Sequence, residues 1–250
     1  MSRSLYKNEF YDSIVHPTGF KIIISFCLMM ASGTLSSTTA DYALADEINP
    51  GVYSADSEPF GTSYGNWTAN WWQWVHNVTP DQNVNFDSTG EFCDVGQEGP
   101  IWFLGPSFGG KYERSCTIPS GKAILFPVNT GECDYGSSPD AKTPDDLYDC
   151  ASENNKGGIM RASLDGVPLK NLEKYKVTSP LFNITIPKDN VFGSPAGTSG
   201  AMADGFWVFL EPLSLGQHEI SFAVNVLDDP ATPTTDESYS TDIIYNVTVK

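Results

Sequence analysis

A chain of 250 residues carrying 14 basic and 31 acidic side chains, a formal net charge of −17, has no basic surface with which to neutralise phosphate. That balance excludes nucleic acid and anionic membrane surfaces as partners and implies a solvated, acidic exterior. The length allows one large or two small domains.

The N-terminus reads as an export signal. Lys21 precedes an apolar run from Ile22 to Ala31, and a small-residue stretch leads to Ala43-Leu44-Ala45, followed by Asp46. The run is shorter than the roughly 20 residues a spanning helix needs. Cleavage after Ala45 therefore leaves no membrane span, an uncut anchor being the alternative. The leader before Lys21 is longer than a signal requires, and nothing in its residues explains why. The reading divides the chain into a signal (1–45), an extended arm (46–60) and one domain (61–250), secreted to the extracellular space or the cell envelope.

Cys27 lies within the signal, so Cys93, Cys116, Cys133 and Cys150 remain, an even number suited to an oxidising compartment. Of the three connectivities, Cys93–Cys116 with Cys133–Cys150 closes two short loops. Zinc is the alternative, but no pair has the close spacing zinc sites show. The acid pairs Asp145-Asp146 and Asp228-Asp229 fit no calcium-loop pattern, and no cofactor motif occurs. Asn66, Asn77, Asn183 and Asn246 each open an N-glycosylation acceptor sequence, with Pro80 disfavouring the second.

After the arm comes a helix. Thr62 or Ser63 can cap it, and Tyr64, Trp67, Trp71, Trp74, Val75 and Val78 recur at three- and four-residue steps until Thr79-Pro80 ends it. The indole stripe packs across a sheet or offers a platform for a sugar ring. Trp72 falls off the stripe and is expected at a solvent-facing rim, with His76 at the helix's solvent edge.

From Pro100 the texture becomes β. Ile101–Leu104, Tyr112–Ile118 and Lys122–Val128 read as strands joined by Gly/Pro turns. Asn129 to Gly158 reads as a loop, and strands resume at Met160–Leu164, Lys176–Val177 and Leu181–Ile186. Gly193–Gly205 reads as a flexible loop before Phe206–Leu210. Strict alternation follows in the 218–226 run (His218, Ile220, Phe222, Val224, Val226) and again in Ile243, Tyr245, Val247 and Val249. Period-2 strands with one apolar face describe half-buried sheets. The fold class is mainly all-β, an antiparallel, jelly-roll-like β-sandwich with one N-terminal Trp-rich amphipathic helix.

No nucleophile elbow or zinc-hydrolase motif accompanies the two histidines beyond the signal, His76 and His218. His218 shares an apolar face and reads as a hydrogen-bonded core residue. Glu132, Asp134 and Asp204 lie near strand ends, where paired carboxylates could hydrolyse a polysaccharide. The reading preferred over that hydrolase is a disulfide-stabilised binding or structural module for carbohydrate or another envelope protein. Trp72, Asn129, Glu132 and Asp204 are its candidate ligand-binding residues.

Several blocks carry a resemblance. Trp71-Trp72-Gln73-Trp74, Cys93 to Gln97, Gly99 to Leu104, Arg114 to Ala123, Phe126-Pro127, Asn129 with Glu132-Cys133, and Ala203 to Trp207 with Leu213, Gly216 and His218 make up the set. Together they resemble a group of exported bacterial and archaeal proteins of unknown function over roughly residues 60 to 250. The resemblance implies a shared fold and export, and no mechanism. Cys150 and its acidic surroundings depart from the group.

Overall fold

A computed structural model describes residues 49–155, 158–226 and 239–250. The signal, the start of the arm and the Asp228-Asp229 pair lie outside the described residues. Among those described, no helix is long and apolar enough to cross a membrane.

The chain forms a β-sandwich with helical cover. In order, the elements are α1 (Tyr64–Asn77), β1 (Ile101–Phe103), β2 (Gly110–Ile118), β3 (Ala123–Asp134), α2 (Pro144–Glu153), β4 (Ile159–Leu164) and β5 (Val167–Pro168). Then come β6 (Lys176–Thr178), β7 (Phe182–Ile186), β8 (Gly197–Leu210), β9 (Gly216–Val226) and β10 (Tyr239–Val249). One sheet has the order β1-β3-β8-β6, with β7 also pairing β8, and the other runs β2-β10-β9-β4-β5. Most pairs are antiparallel, but β1 lies parallel to β3 and β2 parallel to β10, so both sheets are mixed.

Burial explains the two textures of the strands. The first sheet is covered on both faces. Ala123, Leu125, Trp207 and Phe209 turn to α1, while Ile124, Phe126, Val208 and Leu210 turn to the second sheet. A layer without a solvent face needs continuous apolar runs. The second sheet buries one face, and its strands alternate accordingly, with Ile243, Tyr245, Val247 and Val249 inward. His218 sits where β9 begins rather than in the core, its Nδ1 2.8 Å from Asp165 and its Nε2 3.0 Å from the Ser214 carbonyl.

Helix α1 starts as its sequence requires. Ser63 Oγ accepts the Asn66 amide, and the extended Val78 ends the helix before Thr79-Pro80. Trp71 and Trp74 drive into the core and donate their indole N–H groups to the carbonyls of Leu104 and Val95.

The stretch read as a loop from Asn129 holds the end of β3 and a second helix. Thr143 Oγ1 accepts the Asp146 amide, Asp146 accepts the Thr143 amide, and Pro144 occupies the first turn. Only Leu147 and Ala151 of α2 are buried, so its outward face has the composition of a loop. Gly131 permits the close approach of α2. A Cβ there would lie 2.3 Å from the Ala151 carbonyl oxygen. Gly197–Gly205, likewise read as a loop, is the first part of β8. Its small residues pair with β7 on one edge and β3 on the other.

Both disulfides join the expected partners, Cys93–Cys116 and Cys133–Cys150. The first ties the loop before β1 to β2, and the second fastens α2 to β3. Beside the first, the fully buried Arg114 donates to the carbonyls of Gly105 and Pro106 and to Tyr245 Oη. With its ends 23 positions apart, the first bridge should contribute about 3 kcal/mol by restricting the unfolded chain. Urea unfolding of the Cys93→Ala/Cys116→Ala protein should show that loss. An unchanged midpoint would contradict it.

Candidate functional site

The four residues singled out as ligand-binding are split between the two faces of the first sheet. In the register of β3 with β8, Gly131 pairs with Asp204 and Glu132 with Ala203. Side chains alternate along a strand, so Glu132 faces α1 and Asp204 faces α2. Asn129 shares the α2 face and donates from Nδ2 to the Asn155 carbonyl at 3.0 Å. Asp204 is fully buried and committed: Thr178 Oγ1 donates to it at 2.6 Å, Asn155 Nδ2 at 2.9 Å, and Lys176 Nζ lies 3.0 Å away. That pattern belongs to a structural carboxylate holding β6, β8 and the end of α2 together.

Trp72 is not at a rim. It is 8 % exposed, with Trp71 edge-on at 5.2 Å and Phe192 at 5.9 Å between ring centroids. The loop between β7 and β8 carries Phe192 over that flank of α1, which the helical pattern alone does not show. His76, expected at the solvent edge, is 2 % exposed for the same reason. One turn after Trp72, its ring centroid lies 4.6 Å from that of Phe192.

Trp72, His76 and Glu132 thus meet between α1 and β3. Glu132 Oε2 stands 3.9 Å from His76 Nε2, with the two side chains 9 % and 2 % exposed. Burial, reinforced by the charge of Asp134, pushes the Glu132 carboxyl up to about 8. Burial also pushes His76 down to about 4, against the opposing pull of Asp134. At neutral pH the glutamic acid keeps its proton and the imidazole is neutral. Trp72 Nε1, both His76 ring nitrogens and Glu132 Oε1 are buried and have no hydrogen-bond partner among the described residues. Asp134, two residues along the same face, is engaged in a turn, its Oδ1 accepting the amides of Gly136 and Ser137 at 2.7 and 3.1 Å. Of the three acids considered for paired chemistry, only Glu132 is both desolvated and unsatisfied.

A separate, open feature lies on the other flank of α1. A groove of about 590 Å³ runs between that flank and residues 95–103. Trp67, Asn70, Gln73 and Asn77 line its helical wall, with Gln82 and Glu98 opposite. The Trp67 indole is half-buried, its N–H bonded to the Pro59 carbonyl, and Gln73 donates to the Asn183 carbonyl. The carboxamides at 70, 73 and 77 recur at three- and four-residue steps, a signal available in the sequence as the polar counterpart of the indole stripe. All four acceptor asparagines reach the surface, Asn246 being half-buried beside Glu113.

No group of three or more metal-ligating side chains occurs among the described residues. No protein-family model and no curated protein matches the chain. Among solved structures, it is similar to a cysteine protease inhibitor from Entamoeba histolytica, EhICP2, at 12% identity over 60% of this chain and 96% of that one, with a TM-score of 0.22. It is also similar to Amebosin, at 11% identity over 60% and 99% of the two chains, with a TM-score of 0.21. At TM-scores this low, neither fold nor activity transfers from those proteins.

Proposed function

We propose that the chain is a secreted or cell-envelope binding module whose groove along α1 takes a carbohydrate. The observation that carries this reading is the groove itself, an indole beside a row of carboxamides, with Glu98 the one ionisable side chain in its lining among the described residues. Indole faces attract the C–H surfaces of sugars, and carboxamides supply donors and acceptors for hydroxyl groups. The volume falls within the usual range of ligand sites, roughly 300–1,000 Å³. The Cys93–Cys116 disulfide, two positions before Val95 of the lining, stiffens the wall of such a groove in an oxidising environment.

A glycan array followed by titration of tryptophan fluorescence tests the reading. Wild-type protein should bind at least one glycan, and Trp67→Ala should weaken that binding about tenfold by removing the stacking surface. Asn70→Ala should weaken it less. Absence of any glycan binder, or binding indifferent to Trp67, would refute the carbohydrate assignment.

A further inference from the structure

We propose that Trp72, His76 and Glu132 form a second ligand site, closed in this structure by Phe192, which takes a small uncharged pyranose in place of the Phe192 ring. This site is independent of the groove, lying on the opposite flank of α1.

Three observations support it. First, four polar atoms of these residues are buried without partners among the described residues, whereas buried polar groups in native proteins are nearly always bonded. Second, what fills the space against them is a phenyl ring, which can neither donate nor accept a conventional hydrogen bond. The Phe192 centroid lies 4.6 Å from that of His76 and 5.9 Å from that of Trp72. The six-membered skeleton of a pyranose matches the phenyl ring, and its hydroxyls, which extend beyond the phenyl outline into the space an outward-swung Phe192 leaves, would satisfy the atoms that phenyl leaves unmet. Third, Phe192 belongs to a loop held together by its own hydrogen bonds. Asn190 Nδ2 donates to the carbonyls of Pro187 and Ser194, and Asn190 Oδ1 accepts the amides of Phe192 and Ser194. Outward from Phe192 an aromatic path continues to the surface through Phe108, 5.7 Å away, and Phe86, 5.0 Å beyond it. Both of those rings are exposed.

The polar set also defines the ligand's charge. With Glu132 protonated and His76 neutral, the site holds two donors from nitrogen, one from the carboxyl and acceptors from both residues. Each hydroxyl both donates and accepts, so a polyhydroxylated ring matches a mixed set of this kind. An anion would be repelled by the nearby Asp134, while a cation would face only neutral groups on Trp72, His76 and Glu132, the Asp134 carboxylate being already engaged by the amides of Gly136 and Ser137.

The test follows the Trp72 indole N–H and the His76 ring by NMR while D-glucose, D-galactose or N-acetylglucosamine is added. It is run on the Trp67→Ala protein, in which the groove binds about tenfold more weakly, and the two resonances belong to this site alone. Saturable shifts of both resonances with at least one sugar are expected. Phe192→Ala, a change in a half-buried loop residue, should bind that sugar about tenfold more tightly, because no population need first displace the plug. Absence of saturable shifts in both proteins overturns the proposal. So does a high-resolution crystal structure in which ordered waters alone satisfy the four atoms and stay in place after soaking with the same sugars. Weakened glycan binding by Trp67→Ala with these shifts preserved would separate the two sites, and failure of the groove alone would leave this one standing.

Discussion

Glu132→Gln should stabilise the protein by about 4 kcal/mol at pH 8.5 and change it little at pH 4.5 or below. Glu132 is held at about 8, above the ordinary carboxylate range, chiefly by burial and secondly by Asp134. Below pH 4.5 folded and unfolded chains both keep this proton. As pH rises from 4.5 to 8 the unfolded chain releases it while the folded chain retains it, so stability falls by about 1.4 kcal/mol per pH unit. Glutamine occupies the same volume and carries no such penalty. His76 acts in the opposite sense. Burial lowers it to about 4, so between 6.5 and 4 the unfolded chain takes up a proton that the folded chain refuses. In that window its contribution falls as pH drops. The two effects cancel between about pH 4.5 and 6.5, which places the pair's most favourable range there. Urea unfolding of both proteins at pH 4.5 and 8.5 checks the result, and an equal shift at the two pH values would refute it.

Trp71→Ala should cost about 3–5 kcal/mol, a large share of a typical domain's stability. Trp71 is 1 % exposed and meets Trp72, Trp74 and Trp207 edge-on at 5.2–6.0 Å. Truncation leaves a cavity between α1 and the sheet and removes the donor to the Leu104 carbonyl. Trp71→Phe should lose clearly less, because most of the ring volume survives. Thermal and urea unfolding measure both. An alanine variant as stable as the phenylalanine variant would mean that α1 is not anchored through this indole.

What the residues disclose in advance depends on whether their burial has a period. The alternation of β9 and β10 and the indole steps of α1 follow from one-sided packing, and the sequence displays them directly. The continuous runs of β1, β3 and β8 also read as strands, although that their sheet is covered on both faces is visible only once α1 and the second sheet are in place. Helix α2 stayed hidden because Leu147 and Ala151 are its only buried positions, yet Thr143-Pro144-Asp145-Asp146 spells its start. The pairing of the cysteines follows from their spacing. The candidate site was legible in part. Glu132 is noticeable as an acid near a strand end, but His76 and Trp72 are buried by Phe192, more than a hundred positions away, and no local pattern announces that contact. Asp204 misled for a related reason: a carboxylate before Gly205-Phe206-Trp207 looks available until Asn155, Thr178 and Lys176 close around it.

The pairing of β2 with β10 has a consequence in time rather than in energy. Cys116 lies beside Val247 in that register, so the second sheet closes only after a loop of about half the chain has found its ends. Non-local pairings of this kind belong to folds that form in milliseconds to seconds rather than microseconds. The Cys93–Cys116 bond closes a far shorter loop, so its ends meet at a smaller entropic cost, although making the bond itself takes seconds to hours. Until β10 inserts, the inward faces of β2 and β9 stand exposed with unpaired backbone along their edges, the state most open to misassociation. Once made, the bond holds β2 to the loop before β1, so a chain that unfolds with it intact starts its next search from a smaller ensemble. The first bridge thus acts on refolding as well as on the folded state, by limiting how far β2 can stray while β10 is absent.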